Sequence, residues 1–304
     1  MTLTVREFRA ADSEAVSDVV RVVLPYLVTT PEKVAWEVAN APAARRYRVF
    51  VAEFDGRVVG TARAGLILDS AQPGQATVNV NVLPEHRGRG VGGALLAAAE
   101  NHVQASGAVS AHSWVLDDAE SRGFVERHGY QRGRSSKFQR LDLAVAALPP
   151  LEIPPGVELR AASDFAGDPR PLYELDTEAA RDEPSAVELD AMPYQDWLAM
   201  YWDRPDLDRD LTTVAVVDGV AAAFSGAQTD GRTRYWSAMT GTLRAYRGRG
   251  LAKLAKNQSL HRAKAAGYTE ALTGNDDENG PMLAINRWFG YQPSATEWVY
   301  KRDL

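Results

Sequence analysis

The chain carries one segment twice: Arg87-Gly88-Arg89-Gly90 recurs residue for residue as Arg247-Gly248-Arg249-Gly250, 160 positions later. Other landmarks repeat in the same order. Glu7-Phe8-Arg9-Ala10-Ala11 returns as Glu158-Leu159-Arg160-Ala161-Ala162, Asp55-Gly56 as Asp218-Gly219, Gly107 as Gly267, and Gly129-Tyr130 as Gly290-Tyr291. The offsets lie between 151 and 163 residues. The drift places one insertion of about a dozen residues early in the second copy, ordinary loop or helix variation. A chain built this way is two copies of one unit, and 304 residues are enough for two hydrophobic cores.

Residues 147–156 read ALPPLEIPPG, and two Pro-Pro pairs cannot continue a helix. The join predicts an N-terminal domain over 1–148, a Pro-rich linker over 149–156 and a C-terminal domain over 157–304. In the first copy a short strand near Val5–Arg9 precedes helical segments over Asp12–Leu24 and Pro31–Asn40. Two β-branched runs, Arg46–Phe54 and Val58–Leu68, flank Asp55-Gly56, a hairpin signal. Gln75–Leu83 (QATVNVNVL) alternates as a strand does. After the glycine turn come a helix over Gly93–Gln104, a strand over Val109–Leu116, a helix over Ala119–His128 and a strand over Phe138–Leu143. The fold class is α/β with a mixed sheet, not a plain βαβ repeat.

Composition removes several chemistries. With no cysteine, disulfides, thiolate metal sites, iron–sulfur clusters and acyl-cysteine intermediates are excluded, and no metal is expected. A net charge of −6 argues against a nucleic-acid backbone or an anionic membrane as partner. The first residues, MTLTVREFRAAD, hold no apolar run of the kind a leader needs, so a cytoplasmic chain is expected, as a monomer or homodimer.

Each Arg-Gly-Arg-Gly turn stands between a predicted strand and a predicted helix. Glycines let the backbone turn its N–H groups toward a ligand, and the helix start adds about half a positive charge. Such a place suits a phosphate or pyrophosphate; a tight strand-to-helix connection without ligand is the plain alternative. A P-loop would need a Gly-Lys-Ser/Thr ending, which is absent. Gly88, Gly90 and Gly93 satisfy the dinucleotide pattern G-x-G-x-x-G, but Lys253 breaks it in the second copy, and neither turn opens its domain. Both copies do satisfy R-x-x-G-x-G/A, through Arg87, Gly90 and Gly92, and through Arg247, Gly250 and Ala252.

With that turn in its strand–helix setting, the sequence resembles the GNAT superfamily of acyl-CoA-dependent N-acetyltransferases, over nearly the whole chain as two tandem units. The resemblance implies that each domain is a twisted mixed sheet with a splayed central strand and flanking helices. It further implies that acetyl-CoA is the cosubstrate. Its pyrophosphate would lie on Arg87, Gly88, Arg89, Gly90, Val91, Gly92 and Gly93, or on Arg247, Gly248, Arg249, Gly250, Leu251 and Ala252. Val80 and Val82, or Gly241 and Thr242, would bond the pantetheine arm.

The second copy continues as Leu272-Thr273-Gly274-Asn275 and on through Asn279 and Asn286 to Gly290-Tyr291. This resembles the family's T-x-N…N…G-[FY] segment, whose asparagines face pantetheine, so Asn275 and Asn279 are cofactor-side candidates; a helix cap would also explain them. The first copy has Asp117 and Asp118 there, so the second holds the more complete segment. Many relatives place a tyrosine acid four residues before the last glycine, where this chain has Val125 and Asn286. Tyr130 and Tyr291 are expected to pack the core. The catalytic candidates are Asn286, Glu297 on the last strand, and Asp276 or its neighbour Asp277.

Residues 174–210 hold twelve acids, Asp182, Glu183 and Glu188 among them, against three arginines. Tyr194, Trp197, Tyr201 and Trp202 are interleaved with them. Acids with aromatics suit a cationic amine, although an amphipathic helix with its aromatics in the core gives the same pattern. The function expected is transfer of an acetyl group from acetyl-CoA to a primary amine of a small molecule or peptide, by direct attack on the thioester. The alternative is an acyl-CoA-binding regulatory protein with one or both domains silent. A dinucleotide-dependent oxidoreductase stands third.

Overall fold

The structure, a computed structural model, describes residues 2–185 and 190–304. The first repeat runs β1 (Leu3–Glu7), α1 (Ser13–Val23), α2 (Pro31–Asn40), β2 (Arg48–Phe54), β3 (Arg57–Leu66), β4 (Gln75–Val82), α3 (Val91–Ala105), β5 (Ser110–Leu116), α4 (Ala119–Arg127) and β6 (Gln131–Asp142). The second runs β7 (Val157–Ala161), α5 (Arg170–Ala180), α6 (Tyr194–Trp197), β8 (Thr213–Val217), β9 (Val220–Thr229), β10 (Arg234–Thr242), α7 (Leu251–Ala265), β11 (Glu270–Asp276), α8 (Gly280–Phe289) and β12 (Gln292–Asp303). A π-helical turn over Leu198–Trp202 follows α6.

Local chemistry explains the boundaries. Thr30 caps α2 by accepting from the Lys33 N–H at 3.0 Å, with Pro31 in the first turn. Asp118 caps α4 through the Ser121 N–H at 2.8 Å. Both hairpins turn on an Asp-Gly pair with positive φ at both residues, 51° and 79° at Asp55-Gly56 and 50° and 79° at Asp218-Gly219. That twist matches the flanking strands.

The chain forms two compact units. One contains the chain up to Ser136 together with Ala295–Leu304, and the other contains Lys137–Ser185 and Ala191–Ser294. This division differs from the sequence join at 149–156, because the last strand of each repeat is built into the other unit. In the first unit β12 pairs antiparallel with β5, from Glu297↔Leu116 to Asp303↔Ser110. In the second, β6 lies beside β11. The first sheet therefore has the order β1-β2-β3-β4-β5-β12, and the second β7-β8-β9-β10-β11-β6.

The pairs β1–β2, β2–β3, β3–β4 and β5–β12 of the first unit and β7–β8, β8–β9 and β9–β10 of the second are antiparallel, whereas the central pair of each is parallel. β4 and β5 are parallel and paired only over Gln75–Thr77 and Ser110–His112. Beyond Thr77, β4 stays with β3 out to Gly60↔Val82 while β5 stays with β12, so the two strands part. β10 and β11 repeat this, paired over Arg234–Trp236 and Glu270–Leu272. The mixed α/β class with a splayed central strand is thus present in both units.

The core of the first unit sits between the sheet and α3, where Leu95, Ala99 and Val103 meet Val59, Ala62, Val78 and Ala111. Each fully buried Leu or Val there is worth roughly 1.5–3 kcal/mol. In the second unit α5 brings Leu172 and Leu175 against Val214, Val216 and Phe224, together with Trp197 and Trp202. Leu251 of α7 packs with Val217 and Ala223, while Leu260 and Ala263 pack with Tyr235 and Ala271.

Candidate functional site

Where β4 and β5 separate, the first unit holds a cavity of about 470 Å³. Its walls include Val80 and Val82 of β4, Trp114 and Leu116 of β5, and Leu96 of α3. Phe124 and Val125 of α4 and His128 just after it close another side, and Arg87, Gly88, Gly90, Gly92 and Gly93 line the cavity at the turn. The volume falls in the range of ordinary small-molecule sites. Across the split, Asn79 Oδ1 accepts the Trp114 N–H at 2.9 Å, satisfying backbone that the parted ladder leaves open.

The turn is shaped by its glycines. Gly88 and Gly90 adopt φ of 68° and 81°, which side chains with a Cβ rarely adopt, and Gly90 starts α3. A helix start leaves its first N–H groups without intrahelical partners. A Cβ at Gly92 would come within 3.1 Å of the Phe124 ring. Val91 is fully buried in the core, whereas Arg89 points to solvent. Arg87 Nε donates to the Val82 carbonyl at 3.2 Å, tying the turn to the end of β4, and its guanidinium pairs with Glu120 at 3.0 Å.

The second unit reproduces the backbone. Gly248 and Gly250 have φ of 75° and 74°, and Arg247 Nε donates to the Thr242 carbonyl at 3.3 Å. The side chains differ. Asp182 binds both Arg247, at 2.5 Å, and Arg244, at 2.7 Å. The two guanidiniums hold its carboxyl well below the usual carboxylate range. Lys253 occupies the position of Gly93, with Nζ 4.3 Å from the Trp288 ring centre. Leu251 is buried and Arg249 lies 5.7 Å from the Tyr246 ring. Gly241 faces Ala179 so closely that a Cβ would lie 2.4 Å from the Ala179 Cβ. Thr242 ends the ladder opposite Ala223.

Under the second turn lies a buried polar network. Lys256 Nζ donates to Asn286 Oδ1 at 2.6 Å, and Asn286 Nδ2 donates to Gln139 Oε1 and to Asn275 Oδ1, each at 2.8 Å. Burial lowers the Lys256 ammonium to about 7. In the first unit the corresponding positions are Leu96 and Val125, both on the cavity wall. Sequence reasoning singled out Asn286 and Asn275 but passed over Lys256, which shares α7 with Lys253 and Lys264 and is set apart from them only by its burial. Asn279 caps α8 by accepting from the Met282 N–H at 3.3 Å. Asp276 accepts from the Glu278 N–H at 2.9 Å, and Asp277 is exposed.

The remaining candidates are dispersed. Trp197 and Trp202 are buried in the core and stack with ring centres 6.0 Å apart, while Tyr201 is exposed. Tyr194 packs on Tyr173 at 5.1 Å and under Arg170 at 4.4 Å. The aromatics interleaved with the acids are therefore spent largely on the core, and Asp182 on the turn. Burial, reinforced by Asp176 and Asp276, raises the Glu183 carboxyl. Glu188 lies outside the described residues. Glu297 stands not in the second unit but in the first, 2.7 Å from Tyr26 Oη. Among the described residues no group of three or more potential metal ligands occurs, and no helix is long and apolar enough to cross a membrane.

Comparison with known proteins agrees with this fold. Residues 45–132 match the acetyltransferase (GNAT) domain and residues 171–291 the acetyltransferase (GNAT) family. A mycothiol acetyltransferase of Nocardioides sp. is 28% identical over 232 residues, covering 71% of this chain and 76% of its own length. One of Segniliparus rotundus is 26% identical over 262 residues, covering 84% and 94%. Two solved structures share the fold over 99% of this chain. A tandem GNAT protein from the clavulanic acid biosynthesis pathway has a TM-score of 0.75 at 22% identity, with 98% of its chain covered. A GCN5-related N-acetyltransferase from Sphaerobacter thermophilus has 0.71 at 20% identity, with 95% covered. Enzymes of this family use acetyl-CoA. The chain is an N-acetyltransferase of the GNAT family, with two GNAT domains in tandem.

Proposed function

We propose that the chain transfers the acetyl group of acetyl-CoA to the primary amine of a small molecule, and that the cleft of the first unit is where the thioester lies. The observation that carries this reading is the cavity of about 470 Å³ between the parted strands, with residues of the Arg-Gly-Arg-Gly turn in its lining. In this reading the N–H groups of Gly88–Gly92 hold the pyrophosphate, and Val80 and Val82 line the pantetheine arm. The second turn has the same backbone and is a further pyrophosphate site. There Asn275, Asn286 and Lys256 replace apolar wall with a polar network. The name shared by the two relatives supports a small-molecule acceptor. The reaction belongs in the cytoplasm, where the thioester is supplied.

Bound acetyl-CoA supplies an activated acyl group; the chain must orient it and help the amine lose a proton. A lysine-like amine is neutral in only a few parts in about ten thousand at pH 7. A positioned base could recover about 10²–10⁴-fold. N–H groups at the parted strand edge would steady charge developing on the carbonyl oxygen.

The test is release of free CoA from acetyl-CoA over a panel of primary amines, with Gly93→Trp alongside the wild type. An added Cβ at Gly93 meets only the tip of His128, at 3.9 Å, so the larger side chain enters the cleft without disturbing the core. CoA release should fall at least about tenfold, as expected when bulk fills a largely preformed site. Unchanged release by the variant would contradict the placement, and no release with any primary amine would contradict the reaction.

A further inference from the structure

Glu297 belongs to the last strand of the chain, yet it completes the first unit. It lies opposite Leu116, a residue of the cavity wall. Directly opposed residues of an antiparallel ladder share a face. Glu297 therefore stands on the face of Leu116 and Trp114, both beside the cavity. Its side chain is buried, the residue being only 4% exposed, and it accepts a hydrogen bond from Tyr26 Oη at 2.7 Å. Tyr26 follows α1 two residues after Leu24, which also lines the cavity.

The neighbouring carboxylate is Asp118 at the start of α4, tied to the Ser121 N–H and hydroxyl and facing Arg87. Among the described residues, no lysine or arginine forms a salt bridge with Glu297. A buried carboxylate without a cation is costly, and packing alone gives no reason for one directly beside a residue of the cavity wall.

We infer that Glu297 is the general base for the acceptor amine in the cleft of the first unit, with Tyr26 as its positioning residue. The inference rests on the cleft assigned above. The ammonium form of the acceptor gives one proton to the Glu297 carboxylate, directly or through one water. The amine nitrogen then forms its bond to the thioester carbonyl carbon and the carbon–sulfur bond breaks. The second nitrogen proton ends on the CoA sulfur, and Glu297 returns its proton to solvent. Burial raises the Glu297 carboxyl to about 7, with the Tyr26 hydrogen bond acting in the opposite direction. A base near the working pH combines a useful ionised fraction with driving force for proton transfer.

The experiment compares wild type, Glu297→Gln and Tyr26→Phe by three readouts: the pH profile of acetyl transfer, acetyl-CoA affinity by calorimetry, and the infrared carboxyl band against pH. Glu297→Gln should lower turnover about 10²-fold or more. It should also abolish the limb near pH 7 and remove a carboxyl band titrating there, with acetyl-CoA affinity unchanged. Tyr26→Phe should move the limb to higher pH, because the carboxylate loses a donor. Turnover of Glu297→Gln within threefold of wild type, with the limb intact, would overturn the inference. So would loss of acetyl-CoA affinity in that variant, which would make Glu297 structural. Retained affinity with turnover and limb both intact would leave the cleft standing while the base assignment fails.

Discussion

Lys256 Nζ donates to Asn286 Oδ1 at 2.6 Å with both residues fully buried, where the first unit places Leu96 and Val125. The same fold thus accepts either an apolar or a polar pair under its glycine turn. The polar pair makes stability depend on pH. Burial holds the folded Lys256 ammonium at about 7, below its ordinary 10.5. Between those values the unfolded chain binds a proton that the folded chain does not, so stability rises with pH across that window and the penalty is complete below it. Chemical denaturation at pH 7 and pH 10 should show a gain on the order of 1–3 kcal/mol. The double variant Lys256→Leu, Asn286→Val should lose most of that gain.

Asp182 pairs with both Arg244 and Arg247, so a phosphate entering the proposed second pyrophosphate site would have to compete with it. Asp182→Asn removes the anion without changing shape. Calorimetry of this variant should show inorganic pyrophosphate or CoA binding several-fold tighter at the second turn, with a steeper salt dependence. Unchanged affinity would mean that the arginines take no part in binding the anion.

Trp197 Nε1 donates to Asp176 Oδ2 at 2.7 Å, and burial raises that carboxyl to about 6. Because the folded value exceeds the ordinary 3.8, this group makes stability fall as pH rises through that interval. Trp197→Phe removes a donor to the carboxylate and should deepen the fall. The loss should be about 1–3 kcal/mol at pH 8 and smaller at pH 5, measured by urea denaturation.

Much of the architecture was legible in the residues, because the informative signals are local. The spacing of the two Arg-Gly-Arg-Gly turns, the Asp-Gly hairpins and the alternation of Gln75–Leu83 depend only on backbone preference and burial period. The helical segment expected over Pro31–Asn40 has those bounds in the structure, where Thr30 caps it. The placement of the last strands was not legible. β6 and β12 are similar strands at similar ends of similar units, and sequence pattern does not say which β5-like neighbour each will choose.

The same ambiguity hid the setting of Glu297, which reads as a residue of the second domain and stands in the first. Trp197 and Trp202 were ambiguous for another reason: an aromatic on an acidic helix serves a core or a cation equally well until its burial is known. Lys256 is a contrast of the same kind, since only its burial separates it from the exposed lysines of an ordinary helix.

The central claim is that the first unit's cleft receives acetyl-CoA. Crystals of the chain grown with acetyl-CoA test it most directly. The predicted result is electron density with the pyrophosphate on the N–H groups of Gly88–Gly92 and the acetyl end between Val80 and Trp114. Cofactor density at the second turn alone, with the first cleft holding only solvent, would contradict it.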